Sequence, residues 1–408
     1  MEAPLDKLEA WLPAAVQRVA ARETPIPSIA ARARAAAARR PSLVRADIGQ
    51  IAGLDPSLEV LYGPPVGLDP LRAALAETYN RAFGLDLGDV PGLSSGLTPA
   101  HVTVCTGAAE GLSMLFTCFA EGRVVALPRA HWENYSNAVE LAGGRTALVD
   151  YFDARGRLDL EGLERALQAH GAQVLVANFP ANPTGAVLSE AETRALAALA
   201  ERLGLVLIAD EVYARLRYDG QAPVTLLRYA PGNAVVVASA SKEYLLPGAR
   251  VGYVFSSRSD LTDRVLRKLL RARTGSPGVL GQERLLALLT GDLEDLRAGR
   301  APEVLTRVRD TMKSRRDALL PVLVRHGLDP VGRPGHAPEG TIFLMARLPG
   351  WFQGDDAAFA QAALEEGVVS TIPGSAFGLP GTVRFSYGSM AEADIDRLDR
   401  NLAAWKRG

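Results

Sequence analysis

The stretch SASKEYLLPGAR, Ser239 to Arg250, places Lys242 just after the apolar run AVVVAS and eight residues before Arg250. An amine where a buried strand ends is desolvated, which lowers its pKa and makes it a nucleophile. A lone lysine is ordinarily a solvated surface residue, so the case rests on its neighbours. QVLVAN leads into FPANPTG, where Asn182, Pro183 and Gly185 form a rigid turn able to aim an amide; any turn also favours Pro and Gly. LVLIAD ends at Asp210, an acid that is costly to bury unless a cation or strong donor faces it; helix capping explains the position equally well. HVTVC runs through TGAAEG into GLSMLF, a glycine turn opening a helix. Its free N–H groups suit a phosphate, or the glycine serves tight packing. Asn182, Asp210, Lys242 and Arg250 thus fall in order at successive strand ends. They offer an amide donor, a buried acid, a buried amine and a phosphate clamp, all of which a phosphorylated heterocyclic aldehyde would use.

The elements that must position these groups follow a strand, turn, helix rhythm from about residue 70. DPLRAALAETYNRAFG is a helix with Asp69 as cap, Pro70 in the first turn and Gly84 at its end. Apolar strands follow at HVTVC, VVAL, TALVDY, QVLVAN, LVLIAD, AVVVAS and VGYVF. Amphipathic helices lie between several of them, the clearest being SEAETRALAALAERLG with a capping box of Ser189 and Glu192. Continuous apolar strands alternating with helices predict an α/β fold, a mainly parallel sheet covered on both faces. Ligands of such sheets gather at the C-terminal strand ends. After about residue 295 a long charged helical stretch, short strands at TIFLMARL, VVSTI and TVRFSYG, and the closing helix AEADIDRLDRNLAAWKR read as a smaller α+β domain. Two helical patterns open the chain, Leu5 to Arg22 with a break at Pro13 and IPSIAARARAAAARRP. They fall outside the βα series and are expected to join that smaller domain. The expected division is a large domain over 51–295 and a small one built from 1–50 and 296–408.

The 408 residues exceed what one core usually carries. A formal net charge of −1 gives no overall field that would attract nucleic acid or an anionic membrane. The two cysteines, Cys105 and Cys118, lie in apolar runs without a CxxC pattern, which reads as two inert buried thiols in a reducing compartment. No apolar run spans a bilayer and no signal-peptide core opens the chain, so a cytoplasmic protein is expected. No metal-ligand set is assigned.

The ordered motifs YGPPVGLDPLR, TGAAEG, NFPANPTG, ADEVY, SASKEYLLPGARVGY, PGSAFG and VRFSY resemble the fold-type I pyridoxal 5′-phosphate (PLP) enzymes, specifically the class I/II aminotransferases. The resemblance runs from about Asp47 to Tyr387. It implies an aspartate aminotransferase-like fold, with a seven-stranded, mainly parallel sheet and a smaller α+β domain. It also implies a homodimer with active sites at the subunit boundary. On this resemblance Lys242 forms the Schiff base and moves the proton between Cα and the cofactor, and Asp210 pairs with the pyridine nitrogen. Asn182 and Tyr213 bond the ring's phenolate oxygen. Gly107, Ala108 and Ala109, with Ser239, Ser241 and Arg250, hold the phosphate. Tyr62 reaches the phosphate of the neighbouring subunit, and Trp132 stacks on the ring, with His131 and Tyr135 as close alternatives. Arg384 grips the substrate α-carboxylate as a two-pronged charge-assisted clamp, near Asn182 and Gly49.

The chain departs from the family pattern at DIGQIAG, Asp47 to Gly53, where Gly49 is kept but Gln50 and Ile51 replace the usual neighbours. Glu110, Arg129 and His131 are further polar additions, and RTGSPGVLGQ, 273–282, falls where a substrate-recognition loop is expected. The function implied is transfer of an amino group between an L-amino acid and a 2-oxo acid in amino-acid biosynthesis. The altered turn keeps a PLP-dependent lyase or cyclase as an alternative. A PLP-binding regulatory domain is remote, because no helix-turn-helix precedes the match.

Overall fold

The computed structural model describes residues 4–21, 39 and 60–406. Its main sheet contains β1 (Val102–Cys105), β2 (Val124–Pro128), β3 (Arg145–Val149), β4 (Val174–Asn178), β5 (Val206–Asp210), β6 (Ala234–Ser239) and β7 (Gly252–Ser256). The order is β1-β7-β6-β5-β4-β2-β3, with only β7 antiparallel to its neighbours. β4, β5, β6 and β7 are buried at every position, as two-sided helix cover requires. Apolar residues fill both faces, one under Leu71, Tyr79, Leu196 and Leu285, the other under Leu115, Phe116, Val139 and Leu266. Register sets the strand ends side by side: Asn178 is opposite Asp210, and Gly252 is opposite both Ser239 and Cys105.

A second, antiparallel sheet holds β8 (Pro330–Val331), β9 (Phe343–Arg347), β10 (Ile372–Pro373) and β11 (Thr382–Ser386), in the order β10-β11-β9-β8. The helices Glu303–Arg325 and Glu392–Trp405 bury Leu319, Leu323, Leu398 and Leu402 in its core.

The placement of the opening helices is corrected for residues 4–21. Leu5, Leu8, Leu12, Val16 and Ala20 recur at helical spacing and are buried with Leu112, Leu115 and Leu269 against the main sheet, not with the second sheet. Leu5 N–H donates to Gly232 O at 3.1 Å, and Arg258 pairs with Asp6 at 3.0 Å. The break at Pro13 stands where the two short helices Leu8–Trp11 and Ala14–Ala21 meet. The Ala- and Arg-rich pattern, Arg39 apart, and the DIGQIAG turn with Gly49 lie outside the described residues.

Asp69 is the first helical residue rather than the cap. Leu68 holds the cap position without a side-chain bond, and the Asp69 carboxylate instead pairs with Arg72 at 3.1 Å. The Ser189–Glu192 box forms as its spacing predicts.

Candidate active site

Lys242 lies in the single turn Ala240–Glu243 that follows β6. Partial burial lowers the pKa of its amine, and the nearby Arg384 and Arg250 guanidiniums lower it further. Among the described residues no carboxylate pairs with it.

Asp210 ends β5, is 3 % exposed, and its pKa is pushed up to about 6 by desolvation. The Tyr135 hydroxyl donates to its Oδ2 and the Val212 N–H to its Oδ1 at 3.3 Å, both favouring the ionised form. Asn178, one strand over, donates from Nδ2 to Asp210 O at 2.9 Å and accepts the Asn182 N–H at 2.8 Å. The same amide thus ties the Asn182 turn to the Asp210 strand. Tyr213, buried three residues past Asp210, meets the Phe343 ring edge-on at 6.1 Å. Trp132 is edge-on to Tyr135 at 5.7 Å.

An anion cup lies on the other flank. Gly107 caps the helix Ala108–Phe119 with φ +79°. A Cβ there would lie 2.3 Å from Arg250 Nη2, so only glycine admits the guanidinium over the helix N-terminus. A Cβ at Gly252 would lie 2.3 Å from the Gly107 carbonyl carbon, so the cup also requires glycine at the start of β7. The Ser239 hydroxyl lies 2.8 Å from Ser241 Oγ and accepts the Ser241 N–H at 3.1 Å. Arg250, at φ +53°, donates to Pro247 O at 3.0 Å.

Arg384 projects from β11 between two aromatic faces, 4.1 Å from the Phe343 ring centre and 4.4 Å from that of Phe377. Its Nη1 donates to Asn182 Oδ1 at 3.2 Å, while its buried Nε has no hydrogen-bond partner among the described residues. Burial lowers its pKa, so carboxylate binding would relieve an uncompensated charge.

The residues present fit PLP. Asp210 is a buried acid held by a phenol and a backbone N–H, and it suits a protonated pyridine nitrogen. The cup of Gly107, Ser239 and Arg250 suits a phosphate. Lys242 has the desolvation an imine-forming lysine needs. The family model "Aminotransferase class I and II" matches residues 20–402.

The chain belongs to the class I and II aminotransferases.

This aminotransferase is similar to the aspartate/prephenate aminotransferase of Thermus thermophilus, at 31 % identity with 83 % of this chain and 82 % of the relative covered. It is also similar to the aspartate aminotransferase of Geobacillus stearothermophilus, at 28 % identity and 84 % of each chain. Among solved structures, the Thermus thermophilus aspartate aminotransferase with maleate matches at TM-score 0.73 and 28 % identity over 98 % of each chain. An aromatic aminotransferase from Pyrococcus horikoshii matches at TM-score 0.73 and 25 % identity, over 85 % of this chain and 88 % of that one. The protein is a PLP-dependent enzyme acting on amino acids and 2-oxo acids.

Within the aminotransferase fold, the Arg384 and Arg250 guanidiniums act on Lys242, Arg384 bonds Asn182, Tyr213 feels Asp210 and Arg384, and Gly107 abuts Arg250. Tyr62 is 80 % exposed. Glu110 accepts the Thr106 N–H at 2.5 Å, Arg129 pairs with Asp150 at 2.9 Å, and His131 Nε2 lies 2.8 Å from Ser136 Oγ. In the 273–282 segment, Arg273 bonds Thr117 at 2.5 Å and buried Gln282 accepts the Leu68 N–H at 2.8 Å. Sequence reasoning missed Asn178, Phe343 and Phe377, and named Tyr135 only as a ring stacker. Position gave a cue in one case: Asn178 is the polar end of QVLVAN.

Proposed function

We propose that this aminotransferase binds PLP through Lys242, with Asp210 against the pyridine nitrogen and the phosphate in the cup of Gly107, Ala108, Ala109, Ser239, Ser241 and Arg250. Asn182 and Tyr213 bond the ring oxygen, and Trp132 covers a ring face. Bound PLP supplies an electron sink for the negative charge that develops at the substrate Cα. Arg384, flanked by Phe343 and Phe377, clamps the α-carboxylate and orients the Cα–H bond. Once the substrate amine has displaced it from the cofactor, Lys242 Nζ is free to take the Cα proton, and its lowered pKa enlarges the neutral fraction available as base. Asp210 stays ionised because Tyr135 and Val212 donate to it.

The observation that carries this reading is Asp210, a fully buried carboxylate at a strand end whose described partners are a phenol and an amide. It matches a cationic ring nitrogen better than a role in the core. The names of the relatives make aspartate the first donor to test. We further propose a cytoplasmic homodimer serving amino-acid biosynthesis, in which Tyr62 reaches the neighbouring subunit's phosphate. The adjoining exposure of Val60, Leu61 and Tyr62 supports this. The test is a panel of amino acids given to holoenzyme, following 2-oxo acid and pyridoxamine phosphate together. Transamination forms the two in equal amounts; product without pyridoxamine phosphate would overturn the reading in favour of elimination or cyclisation.

A further inference from the structure

Lys242 sits in a helical turn of four residues, far too short to be stable by its own hydrogen bonds. Something else must hold it, and the two residues that follow it do. Glu243 is buried, and its carboxylate accepts three N–H groups from Arg215: the backbone N–H at 3.0 Å, Nε at 2.8 Å and Nη2 at 2.5 Å. The two side chains are 2 % and 5 % exposed. The Arg215 guanidinium also lies over the Tyr244 ring at 5.4 Å, and the Tyr244 hydroxyl donates to Asp292 Oδ2 at 2.9 Å. Arg215 belongs to the segment that leaves β5, two residues past Tyr213 and five past Asp210. Consecutive helical residues point about 100° apart, so the turn that carries Lys242 can send Glu243 into the core.

We propose that the buried Arg215–Glu243 pair is a positioning pair for Lys242, fixing the lysine's turn against the strand end that carries Asp210 and Tyr213. The pair is two-pronged, so it sets orientation as well as distance. Intact, it places no net charge beside the amine. The charged groups that act on Lys242 are Arg384 and Arg250. Those facing the pair are Glu211, Tyr79, Tyr244 and Tyr253, with Asp292 beyond Tyr244. The inference rests on the assignment of Lys242 as the cofactor lysine.

Opposite single variants give the test. Glu243→Gln leaves the Arg215 cation uncompensated and should lower the pKa of the Lys242–cofactor chromophore in holoenzyme, read by absorbance against pH. Arg215→Gln leaves the Glu243 anion uncompensated and should raise it. At an effective dielectric near 20, a unit charge roughly 10 Å from a titrating group moves its pKa by about one unit, the scale expected here. The double variant should return near wild type. Each single variant should lower kcat by about 10- to 100-fold with KM changed by less than about threefold, as misplacement of a reacting group does. If Arg215→Gln does not fold, Arg215→Lys keeps the charge but loses the fork. It should leave the pKa in place and still lower kcat. In apoenzyme, the pH profile of Lys242 labelling by an amine reagent, mapped by mass, should shift in the same two directions. The proposal is overturned if both singles shift the pKa alike or not at all, or if they lower only thermal stability. Wild-type enzyme whose cofactor is not on Lys242 would instead defeat the assignment beneath it.

Discussion

Tyr135→Phe removes one hydroxyl from a buried ring and leaves the ring's volume in place. That hydroxyl donates to Asp210 Oδ2 and favours the ionised carboxylate. A hydrogen bond to a charged, buried acceptor contributes about 1.5–3 kcal/mol, which corresponds to roughly one to two pKa units. Asp210, at about 6 in the intact apoprotein, should therefore rise to about 7–8. Its ionised fraction at pH 7 would fall from about nine-tenths to between one-half and one-tenth. Apparent affinity scales with the competent fraction, so PLP should bind about 2- to 10-fold more weakly at pH 7 and recover towards about pH 9. The assay is a PLP titration of apoenzyme by absorbance at a series of pH values, wild type beside the variant. If the two affinity–pH curves superimpose, Tyr135 does not tune Asp210 and the electrostatic account of the acid is wrong.

Arg384→Lys keeps a cation but loses the planar fork and its seat between Phe343 and Phe377. It should lower kcat/KM for α-amino acids by about 100-fold or more while the cofactor absorbance stays unchanged; steady-state kinetics on holoenzyme checks this. Gly107→Ala puts a Cβ 2.3 Å from Arg250 Nη2 at a φ of +79°. It should weaken PLP binding by about tenfold or more but affect phosphate-free pyridoxal much less, as paired titrations would show. The folded-state pKa of Asp210 lies above its unfolded value of 3.8. Its protonated form therefore contributes stability below the unfolded value that is lost as pH rises through about 6, an amount of about 3 kcal/mol for the apoenzyme. Urea melts of apoenzyme against pH should show that loss in wild type and its absence in Asp210→Asn.

The main sheet was legible because its strands are continuous apolar runs closed by polar strand ends, which a two-sided parallel sheet demands. The placement of Asp210 and Lys242 was legible for the same reason, since a polar group at or just past the end of a buried strand stands out. What stayed hidden depends on side chains meeting across long sequence separations. Tyr135 meets Asp210 through an angle between a helix and a strand that no local pattern encodes. Nothing local marks Glu243, next to a lysine, as buried; it is buried against Arg215, which arrives from another strand end. The opening helices show the same limit. Falling outside the βα series suggested the smaller domain, but residues 4–21 cover the main sheet. Asp69 was misread as a cap because a cap and a first-turn acid both suit a helix N-terminus.

The central claim is a covalent one, and borohydride reduction tests it most directly. Holoenzyme reduced with borohydride, digested and mapped by mass should carry the pyridoxyl phosphate adduct on Lys242, one of five lysines in the chain. Adduct on any other lysine, or a chromophore that survives in Lys242→Ala, would contradict the account.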